Sequence, residues 1–269
     1  MNSSKFKQML NKVPEITIYF WIIKVLCTTV GETAAGYLNE VLHFGLTGTS
    51  LVMSALLVVV LFFQFKTKKY IPAIYWLAVV FLSIVGTLIT DLMTDKLGVP
   101  LETSTIVFSI ALALTFGVWY VVENTISVHS IITIRREAFY WFAVLFTFAL
   151  GTAVGDLTAE KCRLGYCNSG LIFAGLIAVI TIAHFTIKRI LAVEHKHQST
   201  NAVLAFWLIY ILTRPLGASI GDYLSQARSD GGLGLGPTTT SVLFLVTILG
   251  MVTYLTFARK DVIPPERTI

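Results

Sequence analysis

Apolar residues run along this chain in eight stretches, roughly 15–38, 48–65, 71–95, 103–122, 138–159, 168–187, 202–225 and 238–257. Each is near the ~20 residues that a helix needs to cross a bilayer. Lipid cannot satisfy open backbone groups, so helices are the predicted form. The connections are short and the tails small, leaving no stretch for a soluble domain. The first stretch follows Lys5, Lys7 and Lys12, is too long for the apolar core of a signal peptide, and reads as a first span.

Inside these stretches one pattern returns four times. Trp21, Trp76, Trp141 and Trp207 each follow an aromatic residue: Phe20, Tyr75, Tyr140 and Phe206. Ten residues on stands Gly31, Gly86, Gly151 or Gly217. Fourteen on stands Ala35, Thr90, Gly155 or Gly221, and fifteen on Asp91, Asp156 and Asp222, with Gly36 in the first copy. Two spans separate successive tryptophans. The chain is therefore expected to be an all-α integral membrane protein. Its eight transmembrane helices would form four parallel helical-hairpin repeats in a pseudo-symmetric bundle, one transmembrane domain with repeats at about 13–69, 70–135, 136–200 and 201–262. The first helix of each repeat would line the centre, and the more purely apolar second helix would face lipid.

With tryptophan at an aromatic belt, fifteen residues of helix reach ~22 Å into the membrane. Steps of four stay near one helix face. They give Lys24, Thr28, Glu32 and Gly36; Val79, Ser83, Thr87 and Asp91; Val144, Phe148, Thr152 and Asp156; Tyr210, Arg214, Ala218 and Asp222. Charges on such a column must face inward, because lipid penalises each by several kcal/mol. Glu32 and Arg214 match in depth and are expected to pair across the bundle. Lys24 is near enough to the inner interface to snorkel. The glycines with a small residue four later read first as packing points.

Only 13% of the residues are charged, against about 25% in a soluble domain. The net charge of +5 is distributed by topology. The tails and even-numbered loops hold fourteen Lys and Arg and the odd loops four: Lys96, Lys161, Arg163 and Arg228. That places both termini in the cytoplasm of a bacterial inner membrane and argues against a nucleic-acid partner. Cys162 and Cys167 share one outer loop and are either a disulfide or two free thiols; Cys27 reads as packing. Asp95, Glu40, Glu102 and Glu160 read as solvated, and His129, His184, His195 and His197 as surface or interfacial.

Several segments resemble a bacterial family of uncharacterised integral, "membrane-anchored" membrane proteins with repeated G-x-x-x-[GT]-D motifs. They are Phe20-Trp21-Ile22-Ile23-Lys24, Thr28-Thr29-Val30-Gly31-Glu32-Thr33, Leu150-Gly151-Thr152-Ala153-Val154-Gly155-Asp156, and Thr213-Arg214-Pro215-Leu216-Gly217-Ala218-Ser219-Ile220-Gly221-Asp222. The resemblance covers nearly the whole chain and implies no activity. In that family the first repeat often ends in aspartate as well, so Gly36 leaves this chain one carboxylate short.

These residues predict a transporter or channel for a small cation, of the Mg²⁺, Mn²⁺ or Ca²⁺ type, because carboxylates and hydroxyls are hard oxygen ligands. Glu32, Asp91, Asp156 and Asp222 are the expected metal ligands, Thr28, Thr87 and Thr152 lie beside them, and Lys24 and Arg214 compensate charge or gate. Two other readings stay open: a proton-coupled carrier of a small organic solute, with Arg214 on the substrate and Pro215 as a hinge, and a structural membrane protein. No nucleophile–base pair or nucleotide loop suggests an enzyme and no spacing suggests a cofactor. The partners are the lipid bilayer and a small cation or proton, with a homo-oligomer left open.

Overall fold

A computed structural model describes residues 11–38, 45–190 and 195–262, and the side chains of all of these except 190 and 195–200. Eight of its helices are long and apolar enough to cross a membrane. They are α1 (Ile18–Gly36), α2 (Gly45–Lys66), α3 (Pro72–Asp91), α4 (Leu101–Glu123), α5 (Ile134–Asp156), α6 (Gly165–Ile190), α7 (His195–Ser225) and α8 (Gly236–Ala258). The chain is a multi-pass membrane protein. The expectation of eight apolar helices in four repeats holds.

The four first helices close a ring, in contact in the order α1–α3–α5–α7 and back to α1. Along their spans 56–72% of residues are buried, against 6–22% along the second helices. The second helices thus form the outer layer. Each packs mainly on the first helix of the next repeat: α2 on α3, α4 on α5, α6 on α7, and α8 on α1. A repeat is therefore a unit of sequence, while the strong packing lies between repeats.

The recurring glycines explain how close the ring is. A β-carbon at Gly31 would lie 2.6 Å from that of Ser83, at Gly86 2.6 Å from Phe148, at Gly151 2.5 Å from Arg214, and at Gly217 2.7 Å from Thr28. Each partner stands seven residues after the tryptophan of the next repeat, and the fourth contact returns to the first repeat. Glycine at these sites lets two helix backbones meet with no side chain between them. The small residue four later repeats the relation. Thr90 donates to the Ala149 carbonyl at 2.9 Å, and Gly221 sits against the Thr29 carbonyl.

The aromatic pairs do not form a lipid-facing belt. Trp76, Trp141 and Trp207 are buried and pack at a tilt between repeats: Phe20 on Trp76, Tyr75 on Trp141 and Tyr140 on Trp207, with ring centres 5.4–6.2 Å apart. Their apolar area belongs to the interior of the ring. Trp207 Nε1 reaches the Ile126 carbonyl and Trp76 Nε1 the Tyr70 hydroxyl, both at the polar edge of this layer.

Candidate functional site

At the opposite end of the ring the carboxylates meet. Glu32, Asp91, Asp156 and Asp222, one from each repeat, line a single cavity of about 350 Å³. Asp91 and Asp156 are the last residues of α3 and α5, and each is followed by one wide, π-helical turn, Leu92–Lys96 and Leu157–Lys161. Such turns carry an extra residue per turn and recur at functional sites. Here they bring Asp95 and Glu160 onto the same cavity wall. Those two had read as solvated; they are exposed, and they also belong to the site. The step of four continued once more past Asp91 and Asp156 finds them. In the fourth repeat the same step reaches Gln226, also on the wall, and in the first Glu40, which lies outside the described residues.

Arg214 lies beneath the cavity, bonded to Glu32. It is fully buried, and its guanidinium gathers groups from the other three repeats. Nη1 donates to the Thr28 carbonyl at 2.9 Å. Nη2 donates to Glu32 Oε2 at 2.9 Å, to Thr152 Oγ1 at 2.7 Å and to Thr87 Oγ1. The expected Glu32–Arg214 pair is present. The threonines converge, but on Arg214 rather than directly on the cavity. Helix α7 positions this arginine, and Pro215 follows it without an N–H to return to the preceding turn.

Below the arginine the axis is closed. Lys24 does not snorkel: it is fully buried, its ammonium 4.2 Å from the ring centres of both Phe148 and Tyr210 and 3.3 Å from Thr213 Oγ1. The lysine stem points into the ring because its helix face is the one that α7 and α5 cover. Next come the Tyr75 and Tyr140 hydroxyls, 2.5 Å apart, and then the aromatic layer. The N-terminal segment crosses this end. Lys12 pairs with Glu137 at 2.6 Å, and Asn11 binds backbone groups of Val13, Val128 and Ile131.

Among the described residues, no three His, Cys, Asp or Glu side chains come together closely enough to hold one metal ion. The four expected ligands thus share a cavity without forming a ready coordination shell. Cys162 and Cys167 are free and exposed, Cys27 free and buried. His129 is exposed, and the side chains of His195 and His197 lie outside the described residues.

No curated protein and no solved structure matches the chain. One family model does, at residues 19–70, 74–125, 139–189 and 205–261, each match opening one residue before the aromatic partner of the tryptophan. These four matches span most of the sequence, and the chain belongs to the family described as Repeat of Unknown Function (DUF347).

Proposed function

We propose that the protein carries a small, hydrated divalent cation of the Mg²⁺ or Mn²⁺ type across the membrane, and that it is not an enzyme. The observation that carries this reading is the cavity at the end of the ring. Six carboxylates, Glu32, Asp91, Asp95, Asp156, Glu160 and Asp222, face it, and the buried Arg214 is paired with one of them, Glu32. A concave site lined by one sign of charge concentrates counter-ions. Carboxylates that share a cavity without converging suit an ion that keeps part of its water shell, as Mg²⁺ does. In this reading the repeats run parallel, about an axis along the membrane normal. In support, aromatic pairs of all four repeats gather at one end and carboxylates at the other. The positive-inside distribution then turns the acidic cavity outward and both termini to the cytoplasm, in a bacterial inner membrane.

The working step is an exchange of partners at Glu32. Its carboxylate both accepts from Arg214 and lines the cavity. A cation bound above competes with the guanidinium for that carboxylate. When the ion leaves, Arg214 takes Glu32 back, so that this carboxylate is not stranded. The packed axis below favours a carrier over an open pore. An organic anion fits less well: six acids repel it, and both terminal nitrogens of Arg214 are already engaged.

Reconstituted vesicles test this directly. Asp156→Asn and Asp222→Asn are each expected to lower Mn²⁺ uptake at least tenfold with folding retained. Uptake at the wild-type rate in both variants would sink the reading.

A further inference from the structure

Below the arginine lies a set of polar groups that the cation cavity does not use. Lys24 is fully buried, and among the described residues no carboxylate lies within salt-bridge distance of it. The ring under its ammonium is that of Tyr210, whose hydroxyl is buried, approaches the Tyr140 hydroxyl and makes no hydrogen bond. Tyr140 is bonded to Tyr75 at 2.5 Å. The Tyr75 ring meets Tyr70 edge to face at 5.5 Å, and the Tyr70 hydroxyl donates to Asp261 Oδ2 at 2.6 Å. Asp261 is itself 2% exposed, with Oδ1 unpartnered. Four of the ten tyrosines of the chain thus stand in one file, from a buried lysine to a buried aspartate beyond the end of α8.

A packed interior ordinarily satisfies its buried polar atoms. Here three groups in one file, Lys24, Tyr210 and Asp261 Oδ1, are left under-partnered. We infer that this file is a proton path, with Lys24 as the site where a coupling proton is held and Asp261 as its entry at the aromatic end. The inference rests on the carrier reading above and deepens it, naming the proton as the ion exchanged against the metal.

The transfer balances without any tyrosinate remaining. Protonated Asp261 gives a proton to the Tyr70 oxygen while the Tyr70 proton moves on. Each hydroxyl likewise releases one O–H bond and gains another, and the last proton forms the third N–H bond of the Lys24 ammonium. Between Tyr70 and Tyr75 a hydroxyl must swing or one water enter, since the contact there is between rings. Between Tyr210 and Lys24 the neutral amine must slide from the ring face to the hydroxyl. The charge on Lys24 then acts just below Arg214. Loading the proton pushes the guanidinium towards Glu32; after the ion has left, the Lys24 N–H bond breaks again and the proton passes up helix α1 to the Glu32 carboxylate, which opens on the cavity and releases it there.

The titratable groups around Lys24 are Cys27 on its own helix and Arg214 and Tyr210 on α7. Tyr140 on α5 and Tyr75 on α3 follow along the file, and α8 adds Tyr254 against Tyr19. Glu15 and Lys260 lie beside Asp261. Burial raises the Asp261 carboxyl above its ordinary range, which helps it keep a proton to hand on; the Tyr70 hydrogen bond opposes this in part.

Vesicles loaded with a pH-sensitive dye read the path. Wild-type protein is expected to move protons against Mn²⁺, and Tyr140→Phe and Tyr75→Phe to reduce proton movement at least tenfold. The Mn²⁺-induced rise in melting temperature should be unchanged in both variants. Each removes one hydroxyl from the same hydrogen bond and leaves its ring in place, so either suffices if the other fails to fold. An acid jump without metal is the second arm, with the same expected loss in the variants. Equal proton movement in wild type and both variants, with and without metal, overturns the path even if Mn²⁺ is carried. Mn²⁺ uptake that ignores Asp156→Asn and Asp222→Asn overturns the cavity reading instead. A proton current lost in Tyr140→Phe would then still support the path.

Discussion

Replacing Arg214 by Met removes the cation on which three repeats converge, and the structure sets the scale. The guanidinium makes hydrogen bonds to the Thr28 carbonyl, Glu32, Thr87 and Thr152, and is fully buried, whereas the Glu32 side chain is 14% exposed to the cavity. Breaking a buried ion pair costs ~3–5 kcal/mol, most of it the stranded partner. Glu32 can lean on cavity water, so Arg214→Met belongs near the lower end, ~3 kcal/mol. Glu32→Gln strands the more deeply buried partner, and ~4 kcal/mol is expected. In the double variant neither charge is stranded. The two losses should then fall short of additivity by ~2 kcal/mol, within the range measured for contacting residues. Reversible unfolding in mixed micelles, followed for wild type, both single variants and the double variant, gives the cycle. Additivity to within ~0.5 kcal/mol would mean that the pair is not coupled and that Arg214 is held by the threonines alone.

Other consequences follow from the packing and from the aromatic end. Gly86→Ala places a β-carbon 2.6 Å from that of Phe148 and 3.2 Å from the backbone of Ala149, and should lose ~1–2 kcal/mol after the helix-propensity gain is set against overpacking. Gly117→Ala on α4 has nothing within 4 Å and should be neutral or gain up to ~1 kcal/mol; thermal melts in detergent compare the two, and equal shifts would contradict the ring contact. Because the Asp261 carboxyl is raised by burial, the folded protein holds that proton more tightly than the unfolded chain. Its stability falls as pH climbs from the ordinary carboxylate value through the raised one. Asp261→Asn should therefore melt higher than wild type above neutral pH, with the difference shrinking towards about pH 4; a difference that grows on acidification would reverse the sign of the argument.

The column of polar residues was legible from local spacing because all four copies use the same face of their helix. Counting by fours back from the fifteenth residue after each tryptophan finds Thr28, Glu32, Thr87, Asp91, Thr152, Asp156, Arg214 and Asp222, and these are the residues that meet. The same count taken one step forward reaches Asp95 and Glu160, which a helix-end reading assigned to solvent. The wide turns after Asp91 and Asp156 keep them on the wall, and no residue pattern announces such a turn. Tryptophan looks alike whether it borders lipid or a neighbouring helix, so the burial of Trp76, Trp141 and Trp207 was not readable. Nor was the partner of each second helix. The choice between its own repeat and the next depends on ring closure through α8 and α1, a contact between opposite ends of the sequence. Lys24 was misplaced for a related reason: depth follows from counting, but lateral position depends on which helices cover that face.

The proposed cation site draws one carboxylate from each of the four repeats. Anomalous scattering from crystals soaked in Mn²⁺ locates that ion without reference to any assay of transport. A single strong peak is expected in the cavity bounded by Glu32, Asp91, Asp156 and Asp222, lost in the Asp156→Asn protein. A cavity without a peak at Mn²⁺ concentrations that support uptake, or a peak of equal height in Asp156→Asn, would contradict it.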